Sequence, residues 1–123
     1  MIQIKEIAFT GYPVTDIVRA RAFYEGALGL TPSKDFEHEG RHWIEYDVGP
    51  ATLAISNMTP DWKGGAGGPS IAFEVADFDE AVRHLRSRDV MFQVPPTDTG
   101  VCNLAVVADP DGNSVTIHKR ARE

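Results

Sequence analysis

Few side chains in this 123-residue sequence are equipped for chemistry, and their spacing narrows what that chemistry can be. Glu74 and His118 are one candidate pair. A carboxylate and an imidazole brought together can act as base and acid, for example in proton abstraction beside a carbonyl. Glu45 could stand in for Glu74 as the base. The other histidines point less clearly to a site. His38 and His42 flank Gly40, where a hairpin turn is expected, and His84 falls on a helix with a polar face. Cys102 is the only cysteine, so neither an intrachain disulfide nor a Cys-based zinc site can form. A lone cysteine reads first as a small apolar residue and only then as a nucleophile. No Ser-His-Asp spacing or nucleophile elbow is present. The glycines at 64, 65, 67 and 68 lack the Lys-Ser/Thr of a phosphate loop and precede a strand, not a helix.

The balance of charge narrows the partners. Twelve basic and eighteen acidic residues give −6. That repels phosphate backbones and anionic membranes and favours cationic ligands. The locally basic tail from His118 to Arg122 reads as a solvated terminus. The longest apolar run, Leu104 to Ala108, is far too short to span a bilayer, and no leader-like apolar stretch opens the sequence. With one cysteine, a reducing, cytoplasmic setting is expected. The 42% apolar content is ordinary for a globular protein and sufficient for a core without staples.

The positioning elements follow from periodicity. Ile2 to Val14 predicts a strand. Asp16 is placed to cap a helix whose buried face is Ala20, Phe23, Tyr24, Ala27 and Leu28, with Gly29 ending it. Arg41 to Val48 alternates as a strand, Gly49-Pro50 turns, and Ala51 to Ser56 is a further strand. The glycine-rich stretch from Asn57 to Pro69 reads as a linker or flap. The pattern then restarts: strand from Ser70 to Val75, cap at Asp77, helix through Ala81, Val82 and Leu85 to about Asp89. Strands follow at Val90 to Val94, Cys102 to Ala108 and Ser114 to His118, with a tight turn at 109–113.

This is one β-α-β-β-β unit written twice. Val14-Thr15-Asp16 and Ala20 recur as Val75-Ala76-Asp77 and Ala81, 61 residues on. Leu53-Ala54-Ile55 recurs as Val115-Thr116-Ile117 after 62. An offset consistent to within one residue through strand, cap, helix and hairpin indicates internal duplication. Two copies should pack about a pseudo-two-fold axis and enclose a cleft.

The set Val14-x-Asp16, Phe23-Tyr24 with Leu28-Gly29-Leu30, Phe73-x-Val75-x-Asp77 and Asp109-Pro110-Asp111-Gly112-Asn113 resembles the vicinal oxygen chelate superfamily. That group holds glyoxalase I, extradiol dioxygenases, fosfomycin-resistance enzymes and bleomycin-binding proteins. The likeness covers nearly the whole chain and points to the fold, not to one activity. It implies an α+β domain spanning 1–123, with module 1 at about 1–57, the linker at about 58–69 and module 2 at about 70–123. The two βαβββ modules would form a U-shaped, partly open mixed β-sheet barrel with helices outside, a ligand in its hollow, and a homodimer.

Strand alternation then sorts the side chains. Phe9, Gly11, Ala54 and Ser56 should face the hollow from module 1, with Trp43 and Glu45 if Ile44 and Tyr46 pack on a helix. From module 2 come Ser70, Glu74, Thr116 and His118, with Cys102 beside them; Phe92 and the linker residue Trp62 could wall a planar guest. The resemblance places metal ligands at Phe9, Ala54, Ser70 and Thr116. Phe and Ala offer no lone pair, and neutral hydroxyls hold divalent transition metals poorly. The expectation is therefore a binding protein for a small organic molecule, with no cofactor, no nucleic acid and no membrane. The alternative is a lyase, isomerase or dioxygenase of the same group. It would use metal through unusual ligands, or Glu74 and His118 without one.

Overall fold

The computed structural model describes residues 1–121; Arg122 of the basic tail and Glu123, which end the second module, lie outside the described residues. Strand β1 (Thr10–Pro13) leads into helix α1 (Ile17–Arg21), which continues as a π-helical turn over Ala22–Ala27. Strands β2 (Pro32–His38), β3 (Arg41–Val48) and β4 (Ala51–Ser56) complete the first module. The second repeats the order with β5 (Ile71–Glu74), α2 (Phe78–Ser87), β6 (Met91–Asp98), β7 (Cys102–Ala108) and β8 (Ser114–Arg120). Each module is a four-stranded mixed sheet, ordered β1-β4-β3-β2 and β5-β8-β7-β6, with the first pair in each parallel. Neither sheet closes on itself, and the α+β duplication is as the repeat implies.

Both helices start where the sequence places their caps. The Asp16 carboxylate accepts from the Arg19 N–H at 3.1 Å, and that of Asp77 from the Glu80 N–H at 3.0 Å. Alanine at either position is expected to cost about 1 kcal/mol, read as a lower denaturant midpoint with unchanged slope. The first helix widens at its end, where the Leu28 N–H donates five residues back to Phe23. Gly29 then reverses the chain at φ 76°. Phe23, Tyr24 and Ala27 are all buried on its inner side.

Two sequence expectations change. The strand over Ile2 to Val14 shrinks to Thr10–Pro13, and residues 1–9 carry no strand. The reason is a missing neighbour. β1 pairs only with β4, Thr10–Pro13 against Leu53–Ser56, and β4 begins just two residues earlier. Ile2, Ile4 and Ile7 are left more than 80% exposed. The strand expected to stop at Val94 runs on through Pro95 and Pro96 to Asp98. β6 is an edge strand with two register shifts, the setting in which proline's missing N–H is tolerated.

One continuous core joins the modules. Tyr12, Tyr24, Ile44, Tyr46, Leu53 and Ile55 meet Phe78, Val82, Leu85, Val107, Val115 and Ile117. Polar bonds pin the junction. The Tyr12 hydroxyl donates to the Ser114 carbonyl at 2.7 Å and accepts from the Ile71 N–H at 2.6 Å. The 109–113 turn does more than reverse the chain. Tyr24 donates to Asp109 Oδ2 at 2.8 Å, and the Asn113 amide donates to that oxygen and to the Pro13 carbonyl, each at 2.8 Å. Asp109 Oδ1 accepts from the Asp111 and Asn113 N–H groups. Burial first, and then the Asp109 charge, push the Tyr24 hydroxyl far above its ordinary range. Asn113 Oδ1 also accepts from the Gly65 N–H at 3.0 Å, which ties down the glycine-rich linker.

Candidate functional site

The two inner faces differ because their side chains differ. In module 1, Ile44 and Tyr46 are fully buried in the core, so alternation turns Trp43 and Glu45 to the other side. There Phe9 meets Trp43 edge-on, ring centroids 5.0 Å apart, and the Trp43 indole N–H donates to Glu45 Oε2 at 2.8 Å. Gly11 leaves room for Trp62: a Cβ at Gly11 would lie 3.0 Å from Trp62 Cη2 and 3.7 Å from Phe9 Cε1. Ala54, beside Gly11 in the register, is wholly buried. Ser56 is buried too, its hydroxyl donating to the His42 carbonyl and accepting from the Met58 N–H. Module 1 therefore fills much of its own hollow with aromatic rings.

Trp62 is also a wall between two spaces. A cavity of about 430 Å³ is lined by Gly11, Pro13, Trp62, Ser70 and Asn113 together with the linker glycines. A recess of about 340 Å³ shares Pro13, Trp62, Lys63 and Gly64 with it and adds Arg41 and Asn57. Of the residues expected to meet a ligand, this brings Gly11, Trp62 and Ser70 to one space.

Module 2 leaves its face open. Ala72, Thr116 and Val106 stand side by side across β5, β8 and β7, and so do Glu74, His118 and Leu104. Ala72 and Glu74 are exposed, and the other four are half-buried. Glu74 Oε1 lies 2.6 Å from His118 Nδ1, while Oε2 accepts from the Arg120 N–H at 2.8 Å. These two bonds, the backbone one foremost, hold the Glu74 carboxyl below the usual carboxylate range. The pair expected from sequence thus forms, whereas Glu45 is engaged by Trp43 and does not join it.

Phe92 lies elsewhere than expected. It stands opposite the fully buried Val107, packs against the core and carries the Arg86 guanidinium 5.4 Å above its ring. The register shift after Phe92 returns it to the helix side. Cys102 is buried, its sulfur 3.1 Å from the Thr99 hydroxyl. His84 and His38 are exposed. His42 sits between Asp35 at 2.9 Å and Glu37 at 3.4 Å, a bracketing that the sequence reading missed because β2 alternates poorly. It also missed Arg120, which alternation places on the face of His118 once β8 is extended by one pair.

The side chains do not suit the metal of the family resemblance. Phe9 and Ala54 carry no donor atom, and Ser70 and Thr116 offer only neutral hydroxyls. Among the described residues, no three His, Cys, Asp or Glu side chains gather where one ion could be held. No helix among them is long and apolar enough to cross a membrane.

A sequence model of the Glyoxalase/Bleomycin resistance protein/Dioxygenase superfamily matches residues 6–117. This chain belongs to that superfamily. No curated protein matches the sequence. Solved structures of similar fold include TnmS3, an antibiotic binding protein from Streptomyces sp. CB03234. It is 22% identical with a TM-score of 0.79, covering 98% of this chain and 100% of its own. A superfamily member from Sphaerobacter thermophilus DSM 20745 is 24% identical with a TM-score of 0.75, over 95% and 98% of the two chains. The trypanothione-dependent glyoxalase I of Leishmania major is 22% identical with a TM-score of 0.74, over 94% and 87%. At these identities the likeness establishes the superfamily's fold and leaves the activity to the site.

Proposed function

We propose that this superfamily member is a cytoplasmic binding protein for a small planar organic molecule, working without a metal and as a homodimer. The observation that carries the reading is the 430 Å³ cavity walled by Trp62, where β1 has a glycine to admit the ring. An apolar-walled space with a few polar groups suits such a guest. We take the open face of module 2, from Ala72 to His118, as a further part of the binding surface, bordered by a second copy that leaves room for the guest. An antibiotic-binding neighbour of the same fold supports this reading. The short contact between Glu74 and His118 favours one second reading, a metal-free enzyme using the pair as base and acid.

The test is a titration with proflavine, a planar cation suited to the −6 charge, before and after exhaustive chelation. Binding is expected to survive chelation unchanged and to weaken at least about tenfold in Trp62→Ala, the loss of one aromatic wall. Stoichiometric bound transition metal, with binding or turnover that depends on it, would remove the reading.

A further inference from the structure

We infer that the Glu74–His118 pair is a proton acceptor for the guest, so that the guest presents a weakly acidic O–H or N–H group on an apolar body. The inference rests on the reading of the second module's open face as ligand-facing. Its basis is the way the pair is wired. Both Glu74 oxygens are committed, Oε2 to the Arg120 N–H and Oε1 to His118 Nδ1. An ionised carboxylate only accepts, so Nδ1 carries the hydrogen. In the neutral form of such a ring the lone pair sits at Nε2, the nitrogen left for a guest. The imidazole and carboxylate are 28% and 32% exposed, enough to be reached.

The surroundings sharpen the choice. Leu104 flanks His118, and Ala72, Val106 and Thr116 lie one pair along the same face. By strand alternation, the charged groups on the face of His118 are Glu74 from β5 and Arg120 from β8, while Lys119 of β8 falls on the opposite face. β7 brings Cys102 and no charged side chain. When a guest O–H hydrogen-bonds to Nε2 and its proton moves across, the ring becomes an imidazolium beside the Glu74 carboxylate. The guest becomes an anion on the same face as Arg120. One O–H bond breaks and one N–H bond forms, with no electron transfer. A guest without the acidic hydrogen leaves Nε2 unpaired.

4-Nitrophenol, whose phenolate is yellow and whose phenol is not, and 4-nitroanisole, its methyl ether, separate the alternatives. In the 123-residue chain the phenol is expected to bind at least about tenfold more tightly, the worth of one hydrogen bond with charge on it. Its bound spectrum should shift toward phenolate. Glu74→Gln and His118→Gln should each bring the two affinities together. In the ligand-free protein, imidazole ¹⁵N shifts should report the hydrogen on Nδ1, and Glu74→Gln should redistribute it. Equal affinities, with amide shifts at residues 72–74 and 116–120, would keep that face ligand-facing and overturn the proton-acceptor role. Failure of both probes to perturb those amides would remove the ligand-facing reading and the inference with it.

Discussion

Asp109→Ala is expected to destabilise the protein by about 3–5 kcal/mol, measured as a fall in the urea midpoint. Few single changes should cost more. Asp109 is 4% exposed and accepts four hydrogen bonds, from the Tyr24 hydroxyl, the Asn113 amide and two backbone N–H groups. Alanine removes every acceptor at once, and it strands the buried Tyr24 hydroxyl and the buried Asn113 N–H. The damage should cross the module boundary, because Asn113 also holds Pro13 and Gly65. Tyr24→Phe takes away one donor and keeps the ring in the core, so its cost should be smaller, about 1–3 kcal/mol. If Asp109→Ala cost no more than Tyr24→Phe, the carboxylate would not be the centre of the junction.

If the protein is the homodimer proposed above, deleting residues 1–8 is expected to convert it to a monomer, read by light scattering across a dilution series. Ile2, Ile4 and Ile7 lie outside the core of their own chain, and each is worth about 1.5–3 kcal/mol when buried. Two arms in such a dimer give a gross figure several times that, much of it offset by the entropic cost of association. A net loss of about 4 kcal/mol, roughly a thousandfold in dissociation constant, is the expectation. Phe9 is kept because it packs on Trp43, so the truncated monomer should still unfold cooperatively in urea, at a midpoint that no longer depends on protein concentration. A truncated chain that stays dimeric would place the interface elsewhere.

The fold was legible where one residue does one job. Asp16 and Asp77 cap helices because their carboxylates reach the free N–H groups of the first turn. Ile44, Tyr46, Leu53 and Ile55 reveal their face by alternation alone. The Glu74–His118 contact was also accessible, since the parallel register that pairs Ile71 with Val115 brings those two side by side. What stayed hidden depends on partners and on breaks in period. The alternation of Ile2 to Phe9 looks like a strand, yet β4 begins too late in the chain to pair with it. Phe92 changes side through a register shift that no two-residue pattern encodes. His42 gains its carboxylates from β2, whose residues are almost all exposed. The filling of module 1 by Phe9, Trp43 and Trp62 depends on how rings settle over Gly11, a tertiary fact.

The outer margins of the two sheets carry a further consequence. β2 ends its sheet with Lys34, Asp35, Glu37 and His38, and β6 ends the other with Pro95 and Pro96. Charge on one rim and missing donors on the other leave a stray extended chain little to zip onto. Sideways stacking of copies into fibrils is therefore discouraged at both rims. The exposed Ile2, Ile4 and Ile7 therefore have no inviting strand edge beside them on either of these two rims.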